Sequence, residues 1–541
     1  MSRSGRAVRK GASSGGASAG SGRSSRAAAI APAGSRGWGA EAATLLAAER
    51  WALPGPPGEG PLRVLLAYPS SYPVAAASLG FQTVYRLLHD LPEVEVDRAW
   101  LPSAVLHPGS GGGGPAEECG GRRGGSAARL LPGGLRGVRT GRPAEEFHLI
   151  GISLAYELEL AGLVQLLELA GLAPLAEQRG PGDPVVLLGG PICWACAELA
   201  HPFVDVVLPG EAELALPRLI ALLAATRGDK PALLEALSAA DEPVVLPASA
   251  AAAAAGTPPP LCRCPDELLP AFSAWVTPHS SFGEMFLVEV GRGCNRACAY
   301  CVMRRPSAGG LRTVPAGRVL ATLPPWVGKV GLVGAAATDH PELPAILQAC
   351  LEVGRQVGIS SLRADRLDET LVDLLSRTGL KTLTTALDGL SERLRRQLQR
   401  GTGAGEVLAA ARLARQHRLP RFKLYLMIGV PGEEDEDLRE GLELCREISA
   451  ILPLTLTVSP FVPKPRTPLA AAPFAGTRVI DSRLAALRRG LQGRVKIQSV
   501  SSRWAWVEHR LAQGGAAAGR AAPQAVGQGG SLAAWERALG R

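Results

Sequence analysis

Three of the chain's ten cysteines fall within eight positions, in Gly291-Arg-Gly-Cys294-Asn-Arg-Ala-Cys298-Ala-Tyr-Cys301. Thiols spaced by four and three residues on one loop can turn toward a common group. An iron-sulfur cube has four irons and normally takes four thiolates, so a loop supplying three leaves one iron open to a cofactor or substrate. Zinc is the competing metal, but a structural zinc site closes its shell with a fourth protein ligand and usually draws on Cys-x-x-Cys pairs. No suitable fourth cysteine lies near this loop. Buried structural thiols sit singly on apolar stripes, the pattern around Cys350 and Cys445. Gly291 and Gly293 let the backbone wrap closely around a bulky group. Cys294, Cys298 and Cys301 are therefore read as ligands of a [4Fe-4S] cluster.

The loop must be held by the elements around it. From 285 to 463, six β-rich runs alternate with helical patterns: 285–290, 329–334, 360–364, 381–387, 422–430 and 454–461. In the clearest helical interval, 433–451, Leu438, Leu442, Cys445 and Ile448 form a stripe behind an acidic first turn. Six such units predict a partial (β/α)6 barrel of the TIM type, with its chemistry at the C-terminal ends of the strands. The cysteines directly follow its first strand. Upstream, the runs 63–69, 94–102, 147–155, 184–191 and 203–209 alternate with helical patterns at 79–91 and 158–172. That alternation predicts an α/β unit with a doubly wound parallel sheet, flavodoxin- or Rossmann-like. The expected organisation is a disordered basic tail over 1–60, this unit over 61–230, a linker over 231–280, the barrel over 281–470 and a C-terminal extension over 471–541. Segments 103–143 and 247–260 read as disordered from their Gly, Ala and Pro content. The Gly/Ala-rich stretch from 512 ends in a candidate docking helix at 535–539.

Composition narrows the partners. Seven basic residues, Arg3, Arg6, Arg9, Lys10, Arg23, Arg26 and Arg36, precede the first acid, Glu41, and supply most of the net charge of +9. The folded part is nearly neutral, so a nucleic-acid partner has no support beyond the tail. No run of about eighteen apolar residues reads as membrane-spanning, and the tail lacks the apolar stretch of a secretory signal. Ten cysteines in 541 residues are too sparse for a disulfide scaffold. Their clustering points to a metal site in a reducing cytoplasm.

With Tyr300 as the aromatic before its last cysteine, the Cys-x-x-x-Cys-x-x-Cys loop resembles the signature of the radical S-adenosylmethionine (SAM) superfamily. The resemblance implies that the open iron binds the amino and carboxylate groups of SAM. An electron from a flavodoxin- or ferredoxin-type donor then cleaves the sulfonium to a 5′-deoxyadenosyl radical. It also implies SAM contacts along the barrel. The family's second strand ends in Gly-Gly-Glu, where this chain has Gly334-Ala335-Ala336 and so lacks the carboxylate. Ser361 and Arg363 resemble residues that meet the SAM carboxylate or ribose. Ala386-Leu-Asp388-Gly-Leu-Ser391-Glu-Arg-Leu-Arg resembles a Glu-Ala-Gly-Ser-Glu-Arg-Leu-Arg segment, with Asp388 in place of Glu. Val430 and Pro431, after Lys423-Leu-Tyr-Leu-Met-Ile-Gly429, resemble the turn beside adenine. Read locally, Ser391 is equally a helix N-cap. Asp339, three residues before Glu342, reads as a capping box in preference to a substrate contact with Thr338 and His340.

Joined to such a barrel, the N-terminal unit resembles a cobalamin-binding domain, with Gly189-Gly190-Pro191 after its fourth strand and Pro209-Gly210-Glu211 after its fifth. The Asp-x-His-x-x-Gly motif of such domains is absent, the first strand running instead into Pro69-Ser-Ser-Tyr72. One implied activity is a cobalamin-dependent methyltransferase or related rearranging enzyme. A second is a methylthiotransferase-like modifier of tRNA or protein, to which Ser459-Pro-Phe-Val-Pro463-Lys464-Pro-Arg-Thr467 also points. That class needs a second cluster, for which Cys119, Cys193 and Cys196 are poorly arranged. A third reading is an iron-sulfur protein that binds or regulates without catalysis. Cys193 and Cys196 themselves read as ordinary thiols, having no nearby Lys or His to activate them. Cys262 and Cys264, in a Pro-rich segment, carry no specific signal. The substrate is not encoded in any motif.

Overall fold

The computed structural model describes residues 38–106, 133–239, 245–249, 261–304, 306 and 309–541. After a helix at Trp38–Ala47 and strand β1 (Arg50–Trp51) come β2 (Leu62–Tyr68), β3 (Val94–Trp100), β4 (Leu149–Ser153), β5 (Val185–Gly189), β6 (Val206–Val207) and β7 (Leu246–Pro247). The last six form one sheet in the order β3-β2-β4-β5-β6-β7, parallel except for the antiparallel β6–β7 pair. The helices Leu79–His89 and Leu160–Leu169 follow β2 and β4. All five expected strands coincide with observed ones, and β2, β4 and β5, buried on both faces, read as the nearly unbroken apolar runs such burial demands.

Of the tail expected over 1–60, residues 38–47 form a helix, and strand β1 pairs antiparallel with β8 (Trp275–Val276), opposing Trp51 to Trp275. Tertiary pairing has overridden a composition that reads locally as flexible. The expected linker is likewise built in: it carries the helix Lys230–Ser238, β7 and β8. Of the segment read as disordered over 103–143, residues 103–106 are helical, and Arg136 bridges Pro143 beside the buried Leu135. Residues 107–132, with Cys119, lie outside the described residues, as do 1–37 and most of 247–260.

The second unit contains β9 (Phe286–Glu289), β10 (Gly291–Arg292), β11 (Arg312–Thr313), β12 (Lys329–Val333), β13 (Gln356–Ile359), β14 (Thr382–Asp388), β15 (Arg421–Ile428), β16 (Leu454–Pro460) and β17 (Val495–Ser499). Two parallel sheets, β13-β12-β9 and β14-β15-β16-β17, are linked by a parallel bridge between Leu362 and Thr385. The antiparallel ribbon β10–β11 brackets the cysteine loop. The third strand falls earlier than the expected 360–364. Residues 356–359 pair with β12, and Ser360 and Ser361 are exposed beyond it. A seventh parallel strand, β17, extends the sheet past the six expected.

Along β14, β15 and β16 every second side chain is buried, among them Leu383, Leu387, Phe422, Leu424, Leu454 and Leu456. The opposite face carries the half-buried Thr384, Asp388, Lys423, Tyr425, Thr455, Thr457 and Ser459. A sheet buried on one face and wet on the other alternates in this way. The C-terminal stretch is helical, and its helices Ser502–Gly519, Ala522–Gly527 and Leu532–Ala538 return to the N-terminal unit. Val507, Leu511, Ala525 and Trp535 join that unit's core. Among the described residues no helix is long and apolar enough to cross a membrane.

Candidate functional site

The cysteine loop leaves β10 at the C-terminal end of β9 and is fastened at several points. The Asn295 side chain accepts from Leu311 N–H at 2.9 Å, closing the loop on itself. Arg296 donates to Asp365 at 2.5 Å and to the Gly401 carbonyl at 3.2 Å. The Tyr300 hydroxyl donates to Asp388 Oδ2 at 2.5 Å, and Arg400 Nε stands 2.6 Å from the same oxygen. Asp388 reaches this position through a bulge at the end of β14, where its backbone adopts φ 64°. Aspartate tolerates the left-handed region better than most residues, and bulges re-aim side chains at sites. Burial, with the neighbouring Asp388 carboxylate, keeps the Tyr300 phenol protonated far above its ordinary range.

The three thiols share one loop. Burial pushes the Cys301 thiol up, and Cys298 and Cys294 act in the same direction. Cys294 Sγ accepts from Arg296 N–H at 3.4 Å, while Arg400 donates to the Ala386 carbonyl at 2.9 Å. Among the described residues no three His, Cys, Asp or Glu side chains converge on a site for one metal ion. A cubane makes a different demand, since each thiolate binds its own iron. Three unpaired thiols on one loop, one of them accepting a backbone N–H, fit such a cluster.

The other expected site residues have mixed placements. Gly334, Ala335 and Ala336 lie at the C-terminal end of β12, Ala335 being exposed. Ser361 is exposed after β13 and Arg363 is buried. The Arg363 guanidinium is taken up by Asp339 and by Asp365 at 2.5 Å, and the Arg363 backbone N–H donates to the Thr338 hydroxyl at 3.2 Å. Asp339 therefore does not form the expected capping box. It is drawn to Arg363 and Arg366, while Glu342 accepts from Ala316 N–H at 3.0 Å. His340 is internal to the fold, with Nε2 2.7 Å from the Val314 carbonyl and Nδ1 accepting from Glu342 N–H at 3.0 Å. Ser391 caps the helix Glu392–Gln397 by accepting from Leu394 N–H, and its hydroxyl donates to Asp437.

At the end of β15 the turn of Gly429, Val430 and Pro431 is held by Glu433, which accepts from Gly429 N–H at 2.9 Å and Val430 N–H at 3.4 Å. Burial pushes the Glu433 carboxyl up to about 7 despite these donors and the nearby Arg483. A carboxyl raised in the folded state adds stability that is whole below its unfolded value near 4.3 and is lost as pH climbs through about 7. Glu433→Gln is thus expected to flatten a decline on the order of 2 kcal/mol between pH 5 and 8. Denaturant midpoints across that range check this, and an unchanged slope would reject the assignment.

At the carboxyl edge of the N-terminal sheet the glycines serve the chain itself. A Cβ on Gly190, at φ 94°, would stand 2.5 Å from the Leu154 carbonyl. Gly210, at φ 146°, bridges Cys262 with no room for a Cβ. Gly189 alone faces open space. The helix Ser502–Gly519 covers the ends of β4 and β5: Cys196 Sγ approaches the Ala512 carbonyl at 3.3 Å, and Lys464 joins Glu157 at 2.7 Å to Glu508 at 2.6 Å. Burial pushes the Cys193 and Cys196 thiols up to about 12. The residues of this edge do not fit a corrin ring.

Asp365, Arg400 and Arg296 escaped the sequence reading, because only the fold brings them to the loop. The half-buried polar face of β14 to β16 had a signal, the period-two alternation in Phe422-Lys-Leu-Tyr-Leu-Met-Ile and Leu454-Thr-Leu-Thr-Val-Ser. A cleft of about 630 Å³ lined by Glu392, Arg395, Gln399, Gly401 and Thr402 lies beside the Arg296 fastening, away from the thiols.

Residues 133–245 match the family described as radical SAM proteins, N-terminal, and residues 288–445 match the radical SAM superfamily. An uncharacterized protein of Methanocaldococcus jannaschii is 32% identical over 197 residues, covering 35% of this chain and 43% of that protein. A tRNA-2-methylthio-N(6)-dimethylallyladenosine synthase of Tropheryma whipplei is 26% identical over 204 residues, 34% of this chain and 42% of the synthase. The chain thus spans about two fifths of the length of the curated relatives it matches. Among solved structures, the cobalamin-dependent S-adenosylmethionine radical enzyme OxsB is 12% identical, covers 79% of this chain and 56% of its own, and has a TM-score of 0.45.

Proposed function

Because the chain belongs to the radical SAM superfamily, we propose that it reductively cleaves SAM and uses the resulting radical on a substrate held at the polar face of β14 to β16. The observation that carries the proposal is the fastened loop that presents three unpaired thiols. When bound, a [4Fe-4S] cluster with SAM on its open iron supplies a 5′-deoxyadenosyl radical. Cys294, Cys298 and Cys301 would hold the cluster. Backbone carbonyls of Gly334, Ala335 and Ala336 would meet the SAM amino group, Ser361 the carboxylate or ribose, and Val430 and Pro431 the adenine. Tyr300, Arg363, Asp388 and Ser391 are engaged with other residues, so on this reading they support the site. The N-terminal strand order, counted 2-1-3-4-5 through its parallel strands, supports a flavodoxin-like unit. The two bridged parallel sheets support an open partial barrel.

A transferase outcome is included because the Tropheryma whipplei relative is named as a tRNA-2-methylthio-N(6)-dimethylallyladenosine synthase. The second cluster of that class finds poor ligands in the buried Cys193 and Cys196, and a corrin finds no fitting edge. The test is anaerobic reconstitution with iron and sulfide, then reductant and SAM, with 5′-deoxyadenosine as the product measured. About four irons per chain are expected for one cluster and about eight for two. Cluster-loaded protein that never cleaves SAM under varied reductants would favour a non-catalytic iron-sulfur role.

A further inference from the structure

Arg292 ends β10, two residues before Cys294, and its guanidinium gathers carboxylates from both units. Nε lies 2.7 Å from Glu289 Oε1, and the terminal nitrogens lie 2.8 Å from Glu289 Oε2, 2.7 Å from Glu213 Oε1 and 3.3 Å from Glu211 Oε2. One also approaches Cys264 Sγ at 3.8 Å. Glu211 and Glu213 belong to the N-terminal unit, at the start of the helix Ala212–Ala225. Glu211 is held from its other side by Arg312 of β11 and accepts from Cys264 N–H at 2.8 Å. Arg312 continues to Asp266 at 2.9 Å and to the Cys264 carbonyl at 2.8 Å. Both strands of the ribbon that brackets the cysteine loop are therefore tied to one carboxylate of the other unit.

We propose that Arg292 is a positioning residue through which the N-terminal unit orders the cysteine loop and sets the charge around its cluster. The proposal rests on the cluster reading for its redox part only. The three carboxylates are half-buried or buried, so their charges act across a weakly screening medium. Arginine is required because its planar fork meets several oxygens at once, whereas lysine keeps the charge and loses that geometry. Reduction adds an electron to the cluster, so a nearby cation favours the reduced form and a nearby anion opposes it.

Two measurements separate positioning from mere packing. In the metal-free chain, Arg292→Gln is expected to raise deuterium exchange across 291–304, with Arg292→Lys intermediate. Unchanged exchange in both would overturn the positioning claim, whether or not a cluster forms. In cluster-loaded protein, mediated titration followed by electron paramagnetic resonance reads the midpoint potential. Arg292→Gln is expected to move it to more negative values and Glu213→Gln to less negative ones. A loop that only loosened would wet the cluster in both variants and shift them together, and that result, or no shift, would overturn the electrostatic claim. Glu213→Gln leaves Arg292 with two carboxylates, which keeps the redox arm decisive should Arg292→Gln fold poorly. Wild-type chain that takes up no iron would reject the cluster reading itself, with the exchange result still deciding Arg292.

Discussion

Cys298→Ala is expected to abolish 5′-deoxyadenosine formation and to bring bound iron to background. Cys298 is 7% exposed, the most buried of the three thiols. Its neighbour Ala299 is pinned on both sides: its N–H donates to the Leu398 carbonyl at 2.9 Å, and its own carbonyl accepts from Leu469 N–H at 3.3 Å. The backbone that presents the thiol is thus fixed independently of the thiol. Loss of an outer partner of a metal ligand costs roughly 10–100-fold, so removing one of only three ligands should exceed that range. The same anchoring means the fold should tolerate alanine within about 1 kcal/mol. Iron and sulfide content, absorption and product formation are compared with a thermal melt on the same samples. Tyr300→Phe supplies the contrast. It removes one hydrogen bond to Asp388, which keeps Arg400, so the cluster should persist with only a several-fold loss of activity. A Cys298→Ala protein that retained iron and cleaved SAM would show that the ligand set is wrong.

The cysteine loop stood out because its three thiols lie within eight positions of one another. The buried strands were legible because a short apolar run between turn residues is what burial on both faces demands. Where a residue's role was misread, the cause was a partner elsewhere along the chain. Ser361 and Arg363 read as strand residues, yet β13 ends at Ile359, and Arg363 is claimed by Asp339 and Asp365. Gly190 and Gly210 read as room for a ring, and the room is filled by Leu154 and Cys262. The edge strand β17, Val-Lys-Ile-Gln-Ser, is short and half exposed, so its pattern did not rise above that of a loop. Asp388 was noticed for its place in a motif, but its left-handed backbone and its reach to Tyr300 follow from a bulge that no local pattern announces.

The segment composition assigned to a tail gives the largest expected effect on stability. Arg98 donates from both terminal nitrogens to Glu49, each at 2.9 Å, and the two side chains are 4% and 1% exposed. The Tyr72 hydroxyl donates to the same carboxylate at 2.7 Å, and the guanidinium lies 4.2 Å from the Trp275 ring and 5.0 Å from that of Trp51. Breaking a buried pair strands the surviving charge, at a cost of about 3–5 kcal/mol, whereas replacing both partners with apolar groups is often close to neutral. Arg98→Met should therefore destabilise strongly, and Arg98→Met with Glu49→Leu should recover much of the loss, a non-additivity that denaturant unfolding can resolve. The consequence extends to the second unit. From Trp275 the chain runs back through Ser273, whose N–H donates to the Leu287 carbonyl of β9 at 2.9 Å and whose hydroxyl accepts from Leu287 N–H at 2.9 Å. A chain beginning at residue 61 would lack Glu49 and Trp51, leaving Arg98 without its carboxylate and β8 without its partner. It should unfold at lower denaturant than a chain beginning at residue 38. Equal midpoints for the two would mean that the buried pair contributes nothing, and that residues 38–60 are the dispensable tail their composition describes.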